Sequence, residues 1–172
     1  MRPAEVVALG YRYPEPGRLE VLQEAIRADL SGTAQRRMKR FAAAVGELSL
    51  AEWEELHTRT IDLSPLFVPY VGHLIWGENY RRGEFMADLK RHMEQQEVDI
   101  GGELPDHIEP ILRYLAVTPN PFPDLVHVLN DAVKGMRLAI RTAAPTNPYR
   151  HLIGATQAVI ENQTPVSIGD PS

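Results

Sequence analysis

The 172 residues carry 18 Lys and Arg against 23 Asp and Glu, a formal charge of −5, with 44% apolar and 24% charged residues. That balance supplies one ordinary globular core, argues against a disordered or membrane-spanning chain and against a general nucleic-acid binder, and leaves room for a cationic partner. There is no cysteine, which excludes disulfides, thiolate metal ligation and thiol nucleophiles.

Val6, Val7, Leu9 and Tyr11 form a short apolar helix that breaks at Tyr13, Pro14, Glu15, Pro16 and Gly17. The run before that break is too brief for the apolar region of a signal peptide, so a cytoplasmic protein is expected. Leu19, Leu22, Ile26 and Leu30 recur at intervals of three and four, predicting an amphipathic helix stopped by Ser31 and Gly32. Met38, Phe41 and Val45 continue the pattern in a third helix, with Arg36, Arg37, Lys39 and Arg40 on its solvated faces. Ser49 and Glu52 have capping-box spacing and open a helix carrying Trp53, Leu56 and Thr60.

Ser64 and Pro65 read as the cap and first residue of a helix through Leu66, Phe67, Tyr70, Val71, Leu74 and Ile75. It is apolar nearly all round, the pattern of a buried helix. Arg81, Arg82 and Gly83 then lead into a helix whose Phe85 or Met86, Leu89 and Met93 face inward. Pro105 fits the first turn of the next helix, which continues through Ile108, Ile111, Leu112 and Leu115, although Pro110 requires a bend or a start nearer Glu109. After the Pro119–Pro123 connector, Leu125, Leu129, Ala132 and Met136 predict a long central helix. Asn147 and Pro148 open the last one, through Leu152, Ala155 and Val159. No segment alternates with period two. The expectation is an all-α, single-domain bundle of about seven to nine helices over residues 1–161, with a disordered tail at 162–172.

Chemistry concentrates in Glu103, Leu104, Pro105, Asp106 and His107. Carboxylates at a helix start are favoured by its exposed N–H groups, so capping is one reading. The other is a polar anchor for a cationic partner. None of the six histidines falls in a His-Glu-x-x-His motif. Glu54 with His57 and Asp124 with His127 have the three-residue spacing of dimetal carboxylate bundles, which offers a metal-carboxylate enzyme as the competing reading. There is no Gly-x-x-x-x-Gly-Lys loop and no Gly-x-Ser-x-Gly elbow. Trp76 and Tyr80, beside Gly77, Arg81 and Arg82, suit a surface groove.

An ordered set of residues spans most of the chain: Leu9 to Pro14; Trp53, Glu55, Leu56, Thr58, Thr60 and Asp62 to Pro65; Tyr70, Gly72 and His73; Gly77, Glu78, Tyr80, Arg82 and Gly83; Glu103 to His107 with Leu112 and Leu115; and Asn147, Pro148, Tyr149 and Leu152. In this order the chain resembles the molybdoenzyme assembly chaperones of the NarJ and TorD type, especially the nitrate reductase delta-subunit branch. It departs from that branch at His57, where Tyr is frequent, and at Ile61, where Phe is frequent.

The resemblance implies a TorD-like helical chaperone that is not an enzyme and holds no cofactor of its own, monomeric or dimeric. Its partner is the apo catalytic subunit of a molybdenum oxidoreductase, bound through an N-terminal segment and kept ready for cofactor insertion before membrane docking or export. Brief contact with the molybdenum cofactor belongs to the same expectation, and nucleic-acid binding and membrane insertion do not. The residues expected at the client are Glu103, Asp106 and His107 as the polar anchor, Trp76 and Tyr80 for apolar contact, Arg81 and Arg82 for an acidic segment or a phosphate, and Pro105 and Tyr70 beside them.

Overall fold

The computed structural model describes residues 1–62 and 66–163. Nine α-helices occur among them: α1 (Pro3–Tyr11), α2 (Arg18–Asp29), α3 (Gly32–Gly46), α4 (Leu50–His57), α5 (Val71–Trp76), α6 (Tyr80–Gln95), α7 (Ile108–Val117), α8 (Pro123–Ala143) and α9 (Tyr149–Gln163). A π-helical turn, Thr58–Asp62, extends α4. Among the described residues the only extended pairing is an isolated antiparallel bridge between Tyr70 and His107. The chain is therefore an all-α bundle with one contiguous core. No helix among the described residues is long and apolar enough to cross a membrane.

The helix enclosed on most sides is α1, where Ala4 and every residue from Val6 to Tyr11 are buried. It packs on α7, α9 and α2. The region expected to supply a buried helix, from Pro65, behaves differently: Leu66 to Tyr70 are not helical and α5 begins only at Val71. Pro69 disfavours helical geometry in the residue before it, and the Pro69 carbonyl accepts from the Ile108 N–H at 2.9 Å instead of serving a helix. The cap assigned to Ser64 and Pro65 lies outside the described residues. So does the expected tail, apart from residues 162 and 163, which continue α9.

The hub is α9, which packs on α3, α8 and α1. Asn147 caps this end as expected, its Oδ1 accepting from the Tyr149 N–H at 2.9 Å. At the crossing with α1, Gly10 lies against Leu152, and a Cβ on Gly10 would sit 2.5 Å from Leu152 Cδ1. The same crossing is tied by Tyr11 Oη and Thr156 Oγ1, 2.6 Å apart. By contrast α8, expected to be central, is long but one-sided, burying Leu125, Leu129, Ala132, Val133, Met136 and Ile140. Its opposite face includes exposed Leu138 and Lys134.

Candidate functional site

The helix expected to start at Pro105 begins at Ile108. His107 is its cap, with Nδ1 accepting from the Glu109 N–H at 3.1 Å. That bond places the imidazole proton on Nε2. Pro110 then falls in the first turn, where no intrahelical N–H is missed. Pro105 is buried in the turn before the helix. The capping role assigned to Glu103 and Asp106 thus belongs to His107.

Asp106 has a different task. It is 0% exposed, so it does not project outward as a client anchor. Its Oδ2 accepts from Arg82 Nε at 2.9 Å and from the Gly72 N–H at 3.1 Å, and its Oδ1 accepts from Arg82 Nη2 at 3.3 Å. Its backbone carbonyl accepts from the Val71 N–H at 2.8 Å. One residue therefore joins the starts of α5, α6 and α7. Arg82 is correspondingly committed to a buried carboxylate, not held ready for an acidic client segment or a phosphate. The position arises because Asn79 caps α6, with Oδ1 accepting from the Arg81 N–H at 3.0 Å. Arg82 is then in the first helical turn.

Tyr70 completes this clasp. Its ring meets His107 edge-on at 5.2 Å, the Arg82 guanidinium lies 5.6 Å from its centroid, and its hydroxyl donates to Glu103 Oε1 at 2.9 Å. Burial, then the bond to Glu103, pushes the Tyr70 hydroxyl up to about 12. Tyr70, Arg82, Glu103, Asp106 and His107 are thus brought together. Trp76 stands at the far end of α5 with its ring 5.0 Å from Phe85. Tyr80, 76% exposed, and Arg81 extend from the solvent side of α6.

On its other side the clasp borders a cleft of about 270 Å³ lined by Tyr11, Arg12, Tyr13, His57, Ile61, Asp62, Glu103, His107 and Glu109. This is below the ~300–1,000 Å³ usual for small-molecule pockets and suits a single side chain better than a cofactor. Glu109 is occupied by Arg113 at 2.7 and 3.0 Å and by Arg12 at 3.3 Å. Asp62 and Glu103 have no Arg or Lys partner among the described residues, and the Asp62 side chain is 51% exposed. Glu103 accepts only from the Tyr70 hydroxyl and the Leu104 N–H, and Asp62 faces only the His57 ring. The cleft therefore presents two carboxylates that no guanidinium or ammonium group neutralises among the described residues, the arrangement that receives a cationic group.

The cleft floor is braced by a second network. Trp53 Nε1 donates to Tyr149 Oη at 3.2 Å, and His57 Nδ1 lies 3.1 Å from the same oxygen. The hydroxyl then donates to His57, which puts the imidazole proton on Nε2, facing Asp62 at 3.9 Å. Asn147 Nδ2 donates to Thr60 Oγ1 at 3.0 Å, tying the π-helical turn to the start of α9. Tyr149→Phe leaves a buried indole N–H and a buried imidazole nitrogen without their shared partner. Its expected cost is about 2 kcal/mol of unfolding free energy, read by urea denaturation.

Sequence reasoning passed over Arg12, Tyr13, Asp62 and Glu109 as site residues. Tyr13 lies in the early Tyr-Pro element and packs edge-on against His57 at 5.5 Å, but nothing in its local spacing marks a site. Of the metal-type pairs, His57 is turned toward Tyr149 and His127 is exposed. Among the described residues no group of three or more His, Asp and Glu side chains is gathered for a metal ion.

Burial holds His57 and His107 below the ordinary histidine value, against the opposing pull of Asp62 on the first and of Glu103, Glu109 and Asp106 on the second. His151 is lowered to about 4 by burial and by Arg150, Arg37 and Arg40. In each case folding favours the neutral ring. Unfolded histidine titrates near 6.5, so below that pH the unfolded chain takes up protons that the folded chain does not, and stability rises with pH there. Melting temperature is expected to fall as pH is lowered from about 7 to about 5 and to be flat between about 7 and 8.

Comparison with family models and with curated proteins returns no match to this chain.

Proposed function

We infer that this chain is an assembly chaperone for a molybdenum-containing oxidoreductase of the nitrate reductase kind. It binds the apo catalytic subunit in the cytoplasm, through a basic N-terminal segment, and holds it ready for cofactor insertion before membrane docking or export. The observation that carries this reading is spatial. Tyr70, Gly72, Arg82, Glu103, Asp106 and His107 bear the resemblance in separate stretches, and they meet in one clasp beside the carboxylate-lined cleft.

The division of labour follows from exposure. Asp106 and Arg82 fix the geometry, while Asp62 and Glu103 face the client's Arg or Lys. Charge-assisted hydrogen bonds of this type are short and directional, and a cleft of side-chain size selects one residue of an extended segment. Trp76 and Tyr80 offer apolar contact for the neighbouring positions. The role requires no turnover by the chaperone itself, since its output is a correctly loaded partner.

The test is co-expression with a nitrate-reductase-like catalytic subunit in cells with and without this chain. The reading predicts co-purification with the cofactor-free subunit, release once the cofactor is loaded, and a several-fold drop in molybdenum content when the chain is absent. Equal molybdenum content in both cells, with no co-purification, would overturn it.

A further inference from the structure

The basic residues of α3, read from sequence as a solvated surface, form part of a larger construction. Arg37 lies across α9, with its Cδ and Nε each 3.3 Å from where a Cβ on Gly154 would stand, so glycine there lets it cross without being pressed aside. On α9, Arg150, Gly154 and Gln157 follow at intervals of four and three and share one face. Arg150 thus sits one turn before the Arg37 crossing and Gln157 one turn after it. Gln157 Oε1 accepts from Arg137 Nη1 of α8 at 2.8 Å, which brings a third helix to the same place. Arg36 and Arg40 flank Arg37 on α3.

The partners of these guanidinium groups are neutral. Arg36 Nη2 donates to Thr33 Oγ1 at 3.0 Å, Arg137 to Gln157, and Arg150 to the Pro145 carbonyl. None of Arg36, Arg37, Arg40, Arg137 and Arg150 is paired with a carboxylate among the described residues, in a chain whose acids outnumber its bases. Three are therefore held in place without being neutralised. Arg37 feels its four neighbours: its pKa is lowered, first by burial and then by Arg137, Arg40, Arg150 and Arg36. Beside them the Nδ1 of His151 is buried with no hydrogen-bond partner.

We propose that this face of α3, α8 and α9 binds a compact multivalent phosphate, of the diphosphate or triphosphate class. Guanidinium groups match phosphate oxygens in bidentate geometry and remain charged at all relevant pH. Arg37 of α3 and Arg137 of α8 meet α9 within one turn of each other, with Arg150 one turn before them on α9 and Arg36 and Arg40 beside Arg37 on α3. Charge gathered on one such face suits a single compact polyanion better than carboxylates spaced along an acidic peptide. A triphosphate brings comparable negative charge in one small group. The site is independent of the cleft beside Asp62 and Glu103, and the two readings stand or fall separately.

The probe is inorganic tripolyphosphate, titrated calorimetrically into the full chain at constant ionic strength. One-to-one binding is expected, with sulfate at the same ionic strength at least about tenfold weaker. Arg37→Gln with Arg40→Gln should weaken binding by about tenfold or more, the loss of at least one charged hydrogen bond. Because Arg37 also packs on α9, Arg36→Gln with Arg150→Gln, two more peripheral changes, serves as the second variant and should weaken binding while the helical circular dichroism is retained. Arg91→Gln on α6 should leave binding unchanged. No binding of tripolyphosphate, equal binding of sulfate, or undiminished binding by the Arg36–Arg150 variant overturns the proposal. Stoichiometric capture of a glutamate-rich peptide or of anionic phospholipid vesicles that tripolyphosphate fails to displace also overturns it and reassigns the face to that partner.

Discussion

Arg82→Ala should be among the most destabilising single substitutions in the clasp, at about 4 kcal/mol of unfolding free energy, because it strands a carboxylate with no access to water. Asp106 is 0% exposed, and the change removes both guanidinium donors while leaving only the Gly72 N–H. Asp106→Ala is expected to cost less, about 3 kcal/mol, because the Arg82 side chain retains 17% exposure and can rehydrate. Asp106→Asn keeps an acceptor for Gly72 and should cost about 1–2 kcal/mol. Urea denaturation of the three variants checks the order. A loss below about 0.5 kcal/mol for Arg82→Ala, the usual range of surface changes, would show that the pair is not a structural tie.

Gly72→Ala is the second large effect. A Cβ there would lie 2.7 Å from Asp106 Oδ2, 3.0 Å from Arg82 Cγ and 3.3 Å from Phe85 Cδ1. Relief requires moving the carboxylate away from its partners, so about 2–3 kcal/mol is expected, toward the upper end for overpacking. The loss should shrink in an Asp106→Ala background, where the crowded oxygen is gone. A double-mutant cycle on melting should return a coupling of at least about 0.5 kcal/mol, and strict additivity would contradict the proposed clash.

What was legible in the sequence was local. The Ser49 and Glu52 capping box forms as read, with Ser49 Oγ accepting from the Glu52 N–H at 3.1 Å and Glu52 Oε1 accepting from the Ser49 N–H at 2.9 Å. Met38, Phe41 and Val45 are buried on α3 as their spacing required. The all-α class follows from such patterns. Missed features depend on partners distant in the chain. Asp106 reads locally as a capping residue because its nearest chemistry is a helix start, while its real partner, Arg82, is 24 residues away. Tyr70 reads as part of a buried helix because the run from Leu66 is apolar, yet its backbone pairs with His107. The all-round burial of α1 could not be read from nine residues, since it depends on α7 and α9 closing over both sides.

The cleft illustrates the same limit. Glu103 and His107 stand out by composition, and the structure adds Arg12, Tyr13, Asp62 and Glu109 from three other elements. It also separates roles that a five-residue string merges. Glu103 faces solvent, His107 caps a helix, and Asp106 is withdrawn into an ion pair.

The central claim, that exposed Asp62 and Glu103 hold a cationic client segment while Asp106 only positions the site, is tested most directly by calorimetric titration of a basic N-terminal peptide from a nitrate-reductase-like catalytic subunit. The Asp62→Asn, Glu103→Gln double variant should bind the peptide at least about tenfold more weakly. Its melting temperature should be essentially unchanged, since the amide oxygen that replaces the Glu103 carboxylate still accepts from the Tyr70 hydroxyl. Unchanged affinity in that variant, with its fold intact, would contradict the account.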